Sequence, residues 1–271
     1  MTELEPIQVR QYGSNGRTVV VLHGGPGAPG SAVGLARLLA KEFQVLEPLQ
    51  RRSGQVPLTM SQHVQDLAEV APPVGILVGH SFGAMLALSY ASRHPSRVAR
   101  VMLIGCGTYN EQCREKMKET LTTRLGDAGN ASLRELRVAL ERAKDAGERN
   151  AIMRKLGAVF SLLESYELMD ETEKERDHIE MDARGHEETW QDVLKLQAQE
   201  IEPQIFAEIK VPVMLIQGDT DPHPGPMTRD LLKRVMPQLE YWELERCGHE
   251  PWRERFARDS FTEVLRIWLN R

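Results

Sequence analysis

Cysteine is scarce in this chain, and the marks of several broad protein classes are missing. The 271 residues include three cysteines (Cys106, Cys113 and Cys247), which do not have the spacing of a metal site. An odd, sparse set of this kind fits a reducing compartment better than a disulfide framework. The N-terminal residues have neither a basic segment nor an apolar one, so no signal peptide is expected. The sequence therefore predicts a cytoplasmic protein.

A strong excess of one charge and a long apolar run are also missing. There are 34 Lys and Arg residues against 39 Asp and Glu residues, which gives a net charge of −5. Nucleic acids and anionic membranes attract clustered Lys and Arg, so neither partner is expected. No apolar run approaches the ~20 residues of a membrane-spanning helix. A small-molecule partner is expected, and the oligomeric state is left open.

Apolar runs and helical patterns alternate along much of the chain. This alternation predicts an α/β protein with a mostly parallel sheet and helices on both faces. Strands are predicted over residues 7–12, 18–22, 43–46, 74–78, 98–104, 211–217 and 239–244. Helices are predicted over residues 62–70, from 84 to 94, near 227–236 and over 254–270.

Residues 109–207 interrupt this alternation. They are rich in Glu, Lys, Arg, Ala and Leu, and they contain almost no β-branched run. Helical spacing of their leucines predicts an insertion of four or five helices, with breaks at 126–130 and 182–185. The charged run 170–177 is typical of a solvated helix face or loop. We expect a core domain of residues 1–108 and 208–271 and a helical cap of residues 109–207.

A serine follows one of the predicted buried strands, in the motif Gly79-His80-Ser81-Phe82-Gly83. A strand, a sharp turn and a helix around GxSxG are typical of a nucleophile elbow, in which a strained turn exposes the serine oxygen. The alternative is a serine that caps the N-terminus of the following helix. The context favours Ser81 as a nucleophile.

A serine nucleophile needs a base and an acid that orients the base. His249 follows the last predicted strand, and two aspartates, Asp219 and Asp221, follow the strand before it. Parallel strands carry such loops to one edge of the sheet. We favour Asp221 as the acid because it lies further along the loop, and Asp219 is then a turn former. The order Ser, Asp, His is that of the α/β hydrolases.

A glycine-rich loop, His23-Gly24-Gly25-Pro26-Gly27, follows the predicted strand 18–22. Such a loop can direct a backbone N–H at a reacting carbonyl, and the residue after the nucleophile supplies a second N–H. We expect the N–H groups of Gly25 and Phe82 to form an oxyanion hole, with Gly24 as the alternative to Gly25. The glycine spacing is not that of a nucleotide-binding loop.

Together, these motifs resemble the α/β-hydrolase fold superfamily, and most closely its prolyl-iminopeptidase-like branch, which has an HGGPG loop. The resemblance spans residues 7–105 and 211–270. It implies a helical cap inserted before the last two strands, a lidded pocket between cap and sheet, and no metal or organic cofactor. In the family, the acid stands three residues beyond the glycine that ends its strand, which supports Asp221.

The sequence also departs from the iminopeptidases, whose elbow is GGSWG and whose second motif is DQRGxGxS. Here the elbow is GHSFG, and only the pair Gln50-Arg51 of the second motif is kept. Cap carboxylates bind the substrate amine in those enzymes, and Glu164 and Glu167 are candidates for that role. We therefore expect an esterase-like serine hydrolase acting on a small ester, lactone or amide. An iminopeptidase is the alternative, and a non-catalytic ligand-binding protein is a third reading.

Other residues are candidates for the substrate pocket. They are aromatic or lie beside the motifs in sequence, although a structural role would explain each one as well. The candidates are His23, His80, His223, Phe160 and Trp190.

Overall fold

A seven-stranded sheet forms the centre of the computed structural model, which describes residues 4–170 and 179–271. Its spatial order is β1-β3-β2-β4-β5-β6-β7. Strand β1 runs antiparallel to β3, and all other neighbouring pairs are parallel. The predicted mostly parallel sheet is thus confirmed. The strands are β1 (Val9–Tyr12), β2 (Thr18–Leu22), β3 (Gln44–Pro48), β4 (Gly75–His80), β5 (Val98–Ile104), β6 (Val213–Gly218) and β7 (Glu240–Leu244).

Helices cover both faces of this sheet, as predicted. The alternation of strand side chains explains why: in β2, Val20 and Leu22 belong to the apolar cluster on one face, and Val19 and Val21 to the cluster on the other. Helices α2, α3 and α7 contribute to the first cluster, α1 and α8 to the second. The helices are α1 (Val33–Leu39), α2 (Met60–Val70), α3 (Phe82–Arg93), α4 (Glu111–Arg142), α5 (Ala146–Leu163), α6 (Ala183–Ala198), α7 (Gly225–Val235) and α8 (Arg258–Leu269).

The described part of the chain between β5 and β6 is mainly helical. It contains α4, α5 and α6, and a non-helical backbone at Gly126 (φ 62°, ψ −175°) divides α4 into two. The expected second break coincides with the start of α6, where the Asp182 side chain accepts a hydrogen bond from the N–H of Gly185 at 3.0 Å. The first residue of the predicted charged run, Asp170, is exposed, and the other residues of that run lie outside the described residues.

Two features of the fold were not predicted from the sequence. Strands β1 and β2 are separated in the sheet by β3, although a tight turn of Gly13 to Gly16 separates them in sequence. Helix α1 was not predicted, because it has seven residues and no side-chain cap at its N-terminus. No helix in the two described ranges is both long and apolar enough to cross a membrane.

Candidate functional site

Ser81 occupies the turn between β4 and α3. Its backbone has φ 54° and ψ −120°, a conformation that residues with a side chain rarely adopt. Although Ser81 is at the N-cap position of α3, its side chain makes no capping hydrogen bond. The hydroxyl has no hydrogen-bond partner anywhere in the described part of the chain, and Ser81 lines a cavity. This geometry differs from that of an ordinary N-cap serine.

The glycines on either side of Ser81 allow the turn to form. A Cβ atom on Gly79 would lie 2.2 Å from the carbonyl oxygen of Gly83, and one on Gly83 would lie 2.2 Å from that of Leu22. Both contacts are with backbone, which cannot move aside as a side chain could. The sharp turn therefore requires glycine at both positions.

His249 and Asp221 are hydrogen-bonded to each other. Nδ1 of His249 lies 2.7 Å from Oδ2 of Asp221, and both side chains are buried. The loops that carry them follow β7 and β6, at the same edge of the sheet as Ser81. Asp219 is exposed, and its Oδ1 accepts a hydrogen bond from the N–H of Cys247 at 3.1 Å. Asp221, and not Asp219, is thus the aspartate that contacts His249.

The Asp221 carboxylate accepts three further hydrogen bonds. Its Oδ2 accepts one from Nε2 of Gln217 at 2.6 Å. Its Oδ1 is 2.9 Å from both the backbone nitrogen and Nδ1 of His223. Sequence reasoning missed Gln217, whose only signal was a polar side chain near the end of a buried strand.

Asp221 and His249 shift each other's pKa values towards the charged forms. Burial would raise the pKa of Asp221, but His249 and His223 outweigh it and hold that pKa well below its usual range. Burial lowers the pKa of His249, whereas Asp221 and Glu164 raise it, and the net result is about 9. An ionised Asp221 therefore stabilises the protonated form of His249.

Gly105 and His80 lie close to the His249 ring and restrict its position. Gly105, just after β5, has φ 53°, and a Cβ atom there would lie 2.8 Å from Nδ1 of His249. Nε2 of His80 lies 3.1 Å from the carbonyl oxygen of His249, and the two ring centroids are 4.6 Å apart. Burial, followed by the nearby His249, lowers the pKa of His80, so this ring is neutral. Sequence reasoning missed Gly105.

The N–H groups expected to form an oxyanion hole lie at the same cavity. Phe82 is the first residue of α3, where a backbone N–H has no partner within the helix. Gly24 approaches the nucleophile closely, since a Cβ atom on it would lie 3.1 Å from that of Ser81. Gly24, Gly25 and Phe82 all line the cavity.

The cavity has a volume of about 2300 Å³ and lies between the sheet edge and helices α4 to α6. It is larger than the ~300–1000 Å³ of most small-molecule pockets. Four of the five pocket candidates line it: His80, His223, Phe160 and Trp190. The fifth, His23, does not. Its buried ring instead accepts a hydrogen bond from the N–H of Gln50 at 3.0 Å, in support of the glycine loop.

Glu164, at the end of α5, also lines the cavity, and Glu167 does not. The Glu164 carboxylate forms no hydrogen bond or ion pair with any of the described residues, and burial raises its pKa against the effect of His249. Glu167 instead pairs with Arg255 at 2.7 Å. Of the two carboxylates considered for amine recognition, only Glu164 is therefore placed to meet a ligand.

The segment that follows α5 is bonded to the His249 loop. The N–H of His249 donates to the Glu164 carbonyl at 2.8 Å, and the N–H of Met169 donates to that of Arg253 at 2.9 Å. The buried carboxylate of Glu254 accepts hydrogen bonds from the N–H groups of Tyr166, Glu167 and Gly248, at 2.7–3.0 Å. This carboxylate, which sequence reasoning missed, connects the two segments.

Asp221, His223 and His249 form the one group in the described residues whose ligand atoms lie close enough for a metal ion, within 4.8 Å of one another. Both Nδ1 atoms in this group already lie at hydrogen-bond distance from Asp221. We assign no metal to it.

Comparisons with known proteins agree with this architecture. A solved thermophilic esterase from Thermogutta terrifontis is 18% identical in sequence, with a TM-score of 0.63, over 97% of this chain and 93% of its own. An enol-lactonase from Burkholderia xenovorans LB400 is 19% identical, with a TM-score of 0.61, over 98% and 96%. An esterase from Exiguobacterium antarcticum is 17% identical, with a TM-score of 0.60, over 98% and 96%. No curated protein matches the sequence significantly.

At these identities the solved structures establish the fold alone. The sequence itself carries further evidence, because the profile of the alpha/beta hydrolase family matches residues 19–259. The matched region runs from β2 to the start of α8 and includes Ser81, Asp221 and His249. The chain belongs to the alpha/beta hydrolase family.

Proposed function

We propose that this protein is a serine hydrolase with Ser81 as nucleophile, His249 as base and Asp221 as the acid that orients the base. The observation that carries the proposal is the strained turn that exposes the Ser81 hydroxyl to a cavity also lined by His249. The 2.7 Å contact between Asp221 and Nδ1 of His249 supports it, because it leaves Nε2 free to accept a proton.

In the proposed reaction, His249 Nε2 removes the Ser81 proton as Oγ attacks a carbonyl carbon. The N–H groups of Phe82 and Gly25 stabilise the resulting oxyanion, and Gly24 is the alternative to Gly25. His249 then protonates the leaving group, which departs and leaves an acyl-enzyme. A water molecule, deprotonated by His249, attacks the acyl carbon and releases the acid and Ser81. Loss of one oxyanion donor typically raises the barrier of such a reaction by about 2.7–4 kcal/mol.

The favoured substrate class is a small ester or lactone, with an amide as a further member. The names of the solved neighbours, an esterase and an enol-lactonase, support an acyl-oxygen bond. The cavity supports small-molecule substrates because Ser81 lines it together with apolar side chains such as Leu121, Phe160 and Trp190.

The test combines turnover with covalent labelling. Hydrolysis of a short-chain p-nitrophenyl ester should fall by about 10⁶-fold in Ser81→Ala, and the variant should no longer react with a fluorophosphonate probe. Ser260→Ala, an exposed serine on α8, is the control and should retain both. Unchanged turnover or labelling in Ser81→Ala would sink the proposal. Absence of labelling in the wild type at neutral pH would favour a ligand-binding protein without turnover.

An aminopeptidase that acts on an N-terminal proline is the second candidate. The Glu164 carboxylate in the cavity favours it, because an ammonium group there would compensate the charge of this partly buried side chain. Release of a proline arylamide should be compared with hydrolysis of short acyl esters. Faster arylamide release, abolished in Glu164→Gln, would select the aminopeptidase. Faster ester hydrolysis, with turnover retained in Glu164→Gln, would select the esterase.

A further inference from the structure

Asp221 holds two imidazole rings, although a catalytic triad needs only one. Oδ2 binds His249, and Oδ1 binds Nδ1 and the backbone N–H of His223, both at 2.9 Å. Because His223 donates twice to the same oxygen, rotation of the carboxylate about its Cβ–Cγ bond would break both bonds. His223 therefore fixes the orientation in which Oδ2 faces His249.

The His223 ring also supports the His249 ring directly. Their centroids are 4.4 Å apart and their planes differ by 16°, so the rings are stacked. His249 also contacts His80, whose ring is tilted by 55° to it, and the space left by the missing side chain of Gly105. The His249 ring thus contacts two imidazoles, of which only His223 is stacked on it.

We propose that His223 is a positioning residue for the triad. It holds the second oxygen of Asp221 and stacks on one face of His249. Its hydrogen bond also weakens the attraction of Asp221 for the His249 proton. The inference rests on the proposed function and assigns His223 no contact with the reacting atoms. Its role is to keep the 2.7 Å bond between Asp221 and His249 aligned.

Sharing one carboxylate between two rings has a predictable effect on His249. The charged or titratable groups that face this ring are Asp221, Glu164, Glu250, His80 and His223. A hydrogen bond from His223 stabilises the Asp221 charge and so weakens its pull on the His249 proton. Removal of that donor should raise the pKa of His249. Because the base must be neutral to act, the acid limb of kcat/KM should then move to higher pH.

Two variants separate the functions of the ring. His223→Phe keeps a flat ring for stacking and loses the Nδ1 donor. His223→Asn keeps an amide donor at the same number of bonds from the backbone as Nδ1 and loses the ring. The same two changes at His94, which directly follows α3 and packs against Tyr90, are matched controls.

With a p-nitrophenyl ester, kcat of His223→Phe should fall about tenfold with little change in KM, since alignment is lost while binding is kept. Its acid limb should move up by about one pH unit. The low-field proton resonance of His249 Nδ1 should also shift. In His223→Asn, kcat should fall less and the limb should stay in place. The His94 controls should match the wild type.

The inference is overturned if both His223 variants keep the wild-type kcat, acid limb and proton resonance. It is also overturned if only thermal stability falls, because that is all a merely structural role predicts. If the Phe variant does not fold, the Asn variant still decides through kcat and the resonance. Fluorophosphonate labelling of Ser81 in every variant separates this inference from the proposed function, whose failure would abolish labelling in the wild type as well.

Discussion

Helices α3 and α4 differ sharply in how much of their surface is buried, although both line the cavity. Helix α3 buries eleven of its twelve residues, and α4 buries three of 32. The first begins directly after Ser81 and contacts β2, β4 and β5. Side chains of α3 are thus constrained by close packing, while those of α4 can vary at little cost in stability. In this molecule, the residues proposed for the chemistry lie against a close-packed core, and much of the cavity wall lies on the exposed helices of the proposed cap.

The largest effect is expected from substitution of Asp221, the proposed acid on the core side of the cavity. Asp221→Asn should lower kcat about 10⁴-fold, because an amide cannot hold His249 in the required tautomer or stabilise its cation. Asp219→Asn should remain near the wild type, since an amide oxygen can still accept from Cys247. Ester hydrolysis at saturating substrate measures both. Equal losses in the two variants would contradict the role given to Asp221.

Two glycines test the core and the cap with the same substitution. Gly105 and Gly126 both have positive φ, so alanine costs about 1–3 kcal/mol of backbone strain at either site. Only at Gly105 would the new methyl group meet His249, whereas nothing lies within 4 Å of it at Gly126. Gly105→Ala should therefore lose about 10²-fold in kcat.

Gly126→Ala should keep its kcat and lose only stability. Thermal unfolding and ester kinetics on both variants give the comparison. A similar fall in kcat at both glycines would mean that the cap backbone controls the catalytic groups as closely as the core does.

The pH profile tests whether a charge in the proposed cap, that of Glu164, affects the pKa of His249. The pKa of His249 is raised to about 9, and the neutral base is the active form, so kcat/KM should rise about fiftyfold between pH 7 and pH 9. Glu164 contributes to that increase. Glu164→Gln should therefore move the limb to lower pH, as measured with the same ester. A limb near pH 6.5 in the wild type would contradict the electrostatics described above.

The smallest effect is expected where cap and core are hydrogen-bonded. Carboxylates of Asp182, Glu188 and Asp192 accept hydrogen bonds from the N–H groups of Ser53, Leu58 and Met60, at 2.6–3.0 Å. Asp182→Ala removes one of these bonds and the cap of α6. The free energy of unfolding should fall by about 1–2 kcal/mol, and kcat should change little. Chemical denaturation measures the first, and ester hydrolysis the second.

The sequence was most informative where short-range rules apply. The predicted strand over residues 98–104 matches β5, because a short, mainly apolar run between a proline and a glycine has few alternative structures. The loops that follow β4, β6 and β7 meet at one edge because the strands are parallel, which brings Asp221 and His249 together. These features follow from patterns within a few residues.

Other features depend on contacts that no local pattern encodes. Glu254 binds backbone groups nearly 90 residues away in sequence. Gln217, at the end of β6, and His223, in the loop after it, are close to Asp221 in sequence, but only the folded loop directs their side chains to its carboxylate. The insertion of β3 between β1 and β2 likewise depends on pairing across the sheet. The branch of the family and the substrate stay predictions, because the cavity wall is built from exposed helices with no common motif.

The bonding between the segment after α5 and the His249 loop bears on the exchange of caps between related proteins. A graft of residues 109–207 would replace Glu164, whose carbonyl holds the N–H of His249, and the segment bound by Glu254. A chimera that retains residues 164–169 would leave those bonds intact. Helices transplanted in place of the proposed cap should therefore join this chain before Glu164 and again after Met169, within the inserted region.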